Sequence, residues 1–595
     1  MSPFESSPDA DGLPAVVAPS QIAARLRQAG EMLRMQGESP FRAGAYETGA
    51  DALDMLKEDL ATLVATGRLT EIRGIGPSLA ATISDLVRTG QSATLDRIMG
   101  QLPPALLELA RAHLPGVTLH RIQTLHDKLG VSSLQDLHQA LSSGAVETIK
   151  GFGPQTIAKL RQAVAGMNEA PATNAGPAVS RVLLVDALDW AQRLAEYLRE
   201  APGVLAAEVT GSIRRWVETV GDVNLIAASL RPADVLAALM AHPAVLRTVS
   251  QDARSCRLLL SNGMPVSLRV EAPETFAVGL IQSTGSKAHC DRLTARALTQ
   301  GVDLQGGGSA YDDESAVYKS LGLPFIPPEL REDAGEFEAA ESGDTFADLI
   351  AVADIQGMVH CHTVYSDGRN TVAEMAQAAQ AMGMKYITIT DHSPAASYAG
   401  GVTPDRLPEQ WREIVEAASQ GTIRILRGTE SDILRDGELD YPDDILQALD
   451  VVIASIHERH RMDAPSMTLR LVRAMEQPIF KIWGHGLGRL LLRRAPIECD
   501  VERILDAVTA APAAIEINGS PHRLDLPAEW IRSARRRGIK FVISTDAHST
   551  SELANLRFGV ALARRGGVRR DDVLNTLPVD LFVGAVRPKR EATAL

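Results

Sequence analysis

The last third of the chain repeats one arrangement six times: a short apolar, β-branched run that ends in residues able to bind a metal. The runs are "MVHCHTVYSDG", "YITITDHS", "IRILRGTES", "VVIASIHERH", "IFKIWGHGLG" and "FVISTDAHS", separated by helical patterns until about residue 580. Strands alternating with helices in this way build a parallel sheet. When such a sheet closes into a barrel, the carboxyl ends of its strands share one mouth, so residues far apart in sequence converge there. Ligand-type residues at six strand ends therefore predict one polar cluster on a (β/α) barrel. Within "HCH", His360 and His362 are two apart on a strand and share a face. By the same alternation Cys361 points away from them. "AAIEINGS" supplies a seventh strand, ending at Asn518, where no ligand is assigned. A lone histidine is more often a hydrogen-bonded core or surface residue than a ligand, and His460 and His522, outside the pattern, keep that reading. Six histidines and three carboxylates at strand ends do not.

At 595 residues the chain is too long for one core, and several domains are expected. No apolar run is long enough to span a membrane and no signal-like segment opens the chain, which points to a cytoplasmic protein without a membrane partner. The four cysteines are scattered and form no CxxC pair, so neither a disulfide framework nor a thiolate zinc site is indicated. A net charge of −14 excludes a protein that coats DNA by bulk electrostatics, because nonspecific affinity comes from neutralised phosphates. Any DNA contact must be local. The basic runs at 535–537, 564–570 and 587–590 read as solvated faces.

Upstream the pattern changes. Residues 1–17 lack periodicity and read as a disordered tail, residues 18–165 are almost wholly helical in pattern, and the small, polar, Pro-containing stretch 166–179 reads as a linker. The helical region holds a repeat, "IRGIGPSLAATI" (72–83) and "IKGFGPQTIAKL" (149–160). Two glycines around one apolar residue make a tight turn, after which a helix start offers free N–H groups to a phosphate. Gly74 and Gly76, and Gly151 and Gly153, are thus candidate DNA-backbone contacts. Both copies resemble the helix-hairpin-helix motif; "LPGVTLHRI" (114–122) looks like a third, weaker copy without the second glycine.

"GESPFRAGAYETGADAL" (37–53), the hairpins, "GSIRRWVETVGDVNL" (211–225), "STGSKAH" (283–289) and "LGLPFIPPELRE" (321–332) together resemble the bacterial family X DNA polymerases, relatives of DNA polymerase beta, over about residues 20–335. The resemblance implies a multidomain chain: an all-α N-terminal helical domain (18–100) and a fingers-like helical domain (101–165), each with a helix-hairpin-helix, then an α+β nucleotidyltransferase palm (180–288), a thumb (289–332) and a linker (333–350). It places Ser212, Arg215 and Gly221 where the family holds an incoming triphosphate. It also exposes a defect. Where the family carries three aspartates, this chain has Asp222, Asn224 and Ser267. A pair of Mg²⁺ ions needs anionic ligands to offset their repulsion and activate a primer hydroxyl, and Asn and Ser supply neutral oxygens only. Polymerisation is therefore expected to be abolished or vestigial, with Asp222 a residual carboxylate, unless Glu271 or Glu218 substitutes. The lysine that forms a Schiff base in eukaryotic members is matched by Thr82, whose hydroxyl cannot form an imine, so no lyase is assigned.

The motifs across 351–582 resemble a PHP domain, followed by a basic tail, 583–595. That resemblance implies a distorted (β/α)7 barrel holding up to three ions, Mn²⁺ or Zn²⁺, with nine ligands. All nine are present: His360, His362, Glu430 and Asp546 for one ion; Glu430, His457 and His485 for a second, Glu430 bridging; Asp367, His392 and His548 for a third. Met358 stands where the family often has an acid, and Arg489 is a phosphate clamp, a surface residue or a barrel-capping residue. With Glu430 and Asp546 as catalytic ligands, the expected activity is phosphodiester hydrolysis: 3′-to-5′ exonuclease or 3′-end processing, with AP endonuclease as a further option. The expected partner is gapped, nicked or 3′-recessed DNA, held by a monomer whose polymerase core serves mainly to bind it. Three other readings stand beside this one: an active gap-filling polymerase, a phosphatase of small phosphoesters, and a non-enzymatic DNA-end scaffold.

Overall fold

A computed structural model describes residues 19–35, 38–54, 56, 60–72, 74–99, 119–132, 134–149, 152–153, 157, 160–161, 181–304, 311–458, 462–511 and 513–588. The expected tail 1–17, the linker 166–179, Gly151, His460 and the start of the weak third hairpin lie outside these residues. The chain forms two compact units, Met1–Val179 with Ala238–Ser250 and Arg257–Pro265, and Ser180–Ala237 with Gln251–Cys256 and Val266–Leu595. Of the segment read from sequence as the palm, 180–288, Ala238–Ser250 and Arg257–Pro265 are grouped with the first unit and the rest with the second.

In the first unit, one core runs from Ile22 on the helix Pro19–Met35 to Leu160. Its repeat is realised bond for bond. Ile75 N donates to Ile72 O and Ala80 N to Gly76 O; in the second copy Phe152 N donates to Ile149 O and Ile157 N to Gly153 O. The apolar residue between the glycines, Ile75 or Phe152, is buried in each copy, while Gly76 and Gly153 face outward. Gly74 has φ +99°, and a side chain there would meet Thr48, so only glycine fits. The repeat is also longer than its motif. Each copy begins with a left-handed glycine, Gly67 or Gly144, that opens a 3₁₀ turn, Arg68–Glu71 or Ala145–Thr148. Thr82 is buried and bonded to Ser78 O, so it serves the helix Pro77–Thr89.

In the second unit, strand Ala206–Val209 pairs antiparallel with Val223–Ala228, which pairs parallel with Pro265–Glu271. Arg214 joins this sheet to the thumb through both oxygens of Glu314 and the Thr284 hydroxyl.

The barrel follows. Seven strands lie in sequence order, Gly357–Met358, Tyr386–Ile389, Arg424–Asp432, Val451–Ser455, Ile482–Trp483, Ala514–Asn518 and Phe541–Ser544, all parallel. A parallel bridge from Cys361 to Ala547, with His362 N bonded to Ala547 O at 2.8 Å, joins the last strand to the first. A helix leads on from each strand to the next, as right-handed parallel crossovers require. The helix Val579–Val586 closes the floor, its Phe582 stacked on Tyr386 and packed with Leu426, Val451, Ile482, Ala514 and Val542, which lie at or near the strand beginnings. The opposite, carboxyl end is therefore the mouth.

Candidate metal centre

The two-residue period of a strand carries the chain from apolar floor to polar mouth. The third strand presents Leu426, Gly428, Glu430 and Asp432 on alternate positions; the fourth, Val451, Ile453, Ser455 and then His457; the second, Tyr386, Thr388, Thr390 and His392; the seventh, Val542, Ser544 and Asp546. Two candidates depart from extended backbone. Asp546 has φ +53° and His485 φ +21°, conformations that L-residues seldom adopt and that cluster where a site over-determines them.

All nine residues read from the sequence converge. The buried carboxylate of Glu430 is the hub, with His485 Nε2 at 2.7 Å, His392 Nδ1 at 3.0 Å, His457 Nε2 at 3.2 Å, His360 Nε2 at 3.4 Å and His362 Nε2 at 3.6 Å. Asp546 Oδ1 lies 3.3 Å from His362 Nε2 and 3.6 Å from His360 Nε2. Asp367 Oδ1 lies 3.3 Å from His548 Nε2 and 3.6 Å from His392 Nε2. The groupings overlap more than the expected sets. His362 stands with Asp367, His392 and His548 as well as with His360 and Glu430, and His392 also stands with Glu430 and His457.

Electrostatics follows from burial. Burial alone would raise the Glu430 carboxyl, but His457, His360, His392 and His485 hold it well below its ordinary value. Burial and the imidazoles of His548 and His392 push His362 down to about 3. Burial opposes protonation of His457 and His548 too, yet Glu430 and Asp432 bring His457 up to about 10, and Asp367 and Asp546 bring His548 up to about 9. Without an ion, then, protons offset the clustered acids.

Whether these residues fit a metal is tested by their unused atoms. Both oxygens of Glu430, both ring nitrogens of His362 and His485, Nε2 of His360 and His457 and Nδ1 of His392 are buried without a hydrogen-bond partner. Buried polar atoms are ordinarily paired, and a buried acid without donors is costly. A constellation of unpaired imidazole and carboxylate atoms aimed at one another fits divalent cations. PHP domains are metal-dependent, and this one has clusters able to hold metal.

Several residues escaped the reading from sequence. Glu516, fully buried, accepts from His360 Nδ1 at 2.5 Å, from the His485 backbone N–H at 2.5 Å and from Ser544 at 2.6 Å. Asp432 faces His457 Nδ1 at 3.1 Å. Such carboxylates fix the tautomer that leaves Nε2 for a metal. Period two was the available signal: Glu516 lies on the line Ala514, Glu516, Asn518, one step inside the strand end. Arg523 Nε pairs with Asp546 Oδ2 at 3.1 Å. Arg489 proves to be the capping residue. Its Nε and Nη2 bond the carbonyls of Arg523 and Leu524, and Nη2 reaches Glu218 at 3.4 Å. Met358 is buried in the first strand.

The palm offers a contrast. Asn224 and Ser267 are direct partners on adjacent parallel strands, and Asp222 immediately precedes the first of these strands. The register confirms one shared location, but a single carboxylate occupies it. Such a donor set does not fit a pair of Mg²⁺ ions. Glu271 cannot help: it is four residues, roughly 13 Å of strand, beyond Ser267, and it bonds Thr275 and Arg269. Glu218 is held by Arg565 at 2.7 Å and by Arg489. Ser212 lies on the short helix Gly211–Arg214, and Gly221 precedes Asp222. Arg215 spends Nε on Glu332 and Nη1 on Thr284 O.

Family comparisons agree with this architecture. A helix-hairpin-helix domain matches residues 18–92, a DNA polymerase beta thumb 279–332 and a PHP domain 359–520. A probable phosphatase of Thermoanaerobacter sp. (strain X514) is 30% identical over 237 residues, 36% of this chain and 89% of the phosphatase. A probable phosphatase of Aliivibrio fischeri (strain ES114) is 29% identical over 234 residues, 36% of this chain and 88% of that protein. The DNA polymerase/3′-5′ exonuclease PolX of Bacillus subtilis (strain 168) is 32% identical over 555 residues, 91% of this chain and 95% of that protein. Its DNA-binding modules in front, its thumb and its terminal PHP barrel, matched almost end to end, place the chain in the PolX family of bacterial family X DNA polymerases.

Proposed function

We propose that this PolX protein is a DNA-repair nuclease whose PHP domain hydrolyses phosphodiesters at the 3′ end of a strand, and whose polymerase core serves to hold gapped, nicked or 3′-recessed DNA. One observation carries the reading: a fully buried glutamate, Glu430, with five imidazoles within 3.6 Å and no hydrogen bond to either oxygen. His360, His362, Asp367, His392, Glu430, His457, His485, Asp546 and His548 would hold the ions. Mixed imidazole and carboxylate donors suit Mn²⁺ or Zn²⁺. Bound there, such ions supply a hydroxide near neutral pH and a clamp for a phosphoryl oxygen.

The chain's own residues do the rest. Glu516 and Asp432 keep His360 and His457 in the tautomer that presents Nε2 inward. Arg523 keeps a positive charge beside Asp546 at the mouth, where phosphate oxygens would approach. The N-terminal hairpins grip backbone phosphates through the exposed glycines Gly76 and Gly153. With one carboxylate left, the palm does not incorporate nucleotides, and Ser212, Arg215 and Gly221 remain as an inherited shell. The protein acts as a cytoplasmic monomer.

The test is end-labelled, 3′-recessed DNA incubated with the full-length protein and Mn²⁺. Stepwise release of mononucleotides from the 3′ end is expected, with no primer extension when nucleotides are added. Turnover of small phosphomonoesters with intact DNA would instead support the phosphatase reading, and DNA binding without hydrolysis the scaffold reading.

A further inference from the structure

Tyr398 stands at the rim of the metal centre. Its side chain is 66% exposed, whereas its neighbours Ala396 and Ala399 are the buried anchors of the same loop. Its ring centroid lies 6.1 Å from that of His392 and 6.1 Å from that of His457, inclined at 59° to each. Nothing stacks flat against its outward face among the described residues.

The loop that presents it is tightly set. Ser393 N bonds Glu430 O at 3.0 Å and Val402 N bonds His392 O at 2.8 Å, so both ends are strapped to candidate ligands. Ala395 N bonds Asp440 Oδ2 at 2.7 Å. Between them Tyr398 sits in a 3₁₀ turn, Ser397–Ala399, closed by Gly400 at φ +67°, and a side chain at Gly401 would fall 2.0 Å from Ser393 O. An aromatic side chain has few torsions to freeze, and a rigid loop has little left to order when a ligand arrives.

We propose that Tyr398 is the stacking platform for the unpaired terminal nucleobase of the strand whose phosphodiester lies at the metal centre. The inference rests on the nuclease reading above and adds to it the residue that receives the terminal base. An exposed ring accepts the face of any base, without sequence preference. At its distance from His392 and His457, a base laid on the ring keeps its own sugar-phosphate over the cluster. The surroundings suit a nucleic acid: the guanidiniums of Arg494 and Arg523 lie within electrostatic reach of the same phenol, supplying positive charge for the backbone. Stacking uses the ring and not the hydroxyl.

The test uses the full-length, metal-free protein and a single-stranded oligonucleotide carrying 2-aminopurine at its 3′ terminus, whose fluorescence falls on stacking. Wild type and Tyr398→Phe should quench it and bind alike. Tyr398→Ala and Tyr398→Leu should lose the quench and bind about tenfold more weakly. An oligonucleotide ending in an abasic analogue should bind all four proteins equally. With Mn²⁺, the alanine variant should raise KM about tenfold on base-ended DNA and leave abasic-ended DNA unchanged. Equal quenching by wild type and Tyr398→Ala, or an equal loss on abasic ends, overturns the proposal. If Glu430→Gln still cleaves, the nuclease reading itself fails; if that variant is inactive and Tyr398→Ala behaves as wild type, only the stacking role fails.

Discussion

The palm and the PHP barrel each bring polar side chains to neighbouring parallel strands, and treat them in opposite ways. In the palm, Asn224 and Ser267 face each other across the register, partly exposed, so water satisfies them and the missing charge leaves no trace in the packing. In the barrel, both oxygens of Glu430 and the imidazole nitrogens turned toward them are buried without hydrogen-bond partners, an arrangement stable only if protons or cations fill it. The difference teaches what each arrangement demands: strand register and sheet order need no charge at the palm position, whereas buried, unsatisfied ligand atoms are stable only while something binds them.

The strongest way to break the comparison is Glu430→Gln. The amide keeps the size and removes the charge that five of the six imidazoles share. Transition-state stabilisation by metal sites is worth several kcal/mol, so a loss of about 4 kcal/mol, or about a thousandfold in kcat/KM on 3′-recessed DNA, is expected. Metal content measured by mass spectrometry should fall with it. Full cleavage by this variant would show that the barrel cluster is not the seat of hydrolysis.

Glu516→Gln sharpens the same point at smaller scale. The change weakens the acceptor that holds His360 Nδ1 and the His485 backbone. Loss of such a supporting carboxylate costs about 10- to 100-fold in metal affinity or activity. A titration of the stripped protein with Mn²⁺ checks it. Unchanged affinity would mean that the nine inward residues suffice without their supports.

Legibility in the sequence follows these physical lines. The ligands could be read because strand periodicity and the shared mouth of a parallel barrel are local rules with a global consequence; His360, Glu430, His457 and Asp546 each stand at the end of an apolar run. Glu516 could not be found by looking at strand ends, since it sits one alternate position inside, among Ile515 and Ile517. The role of Arg489 stayed open in the sequence, because its partners, the Arg523 and Leu524 carbonyls and Glu218, are fixed by loop geometry and by a contact 271 residues away. The occupation of Arg215 by Glu332 is equally non-local. In the helical unit the glycine pairs were visible, but the 3₁₀ turns ahead of them were not, since "GRLTE" and "GAVET" share a leading glycine and a buried apolar residue but little else.

Asp222→Ala should have the smallest effect, and for that reason it discriminates most finely. Asp222 is the one carboxylate left at the palm position, with Asn224 and Ser267 beside it. If the palm has no ion to hold, its removal changes neither cleavage by the barrel nor the absence of primer extension, and both should stay within about twofold of wild type in paired assays on gapped DNA, the range left to a partly exposed substitution outside the metal centre. A wild type that extends primers, and stops on Asp222→Ala, would mean that one acid and two neutral oxygens can organise the reaction after all. The charge argument separating palm from barrel would then be wrong at its root. Cleavage reduced by the same change, with extension absent throughout, would leave the charge argument standing and assign Asp222 to holding DNA for the barrel.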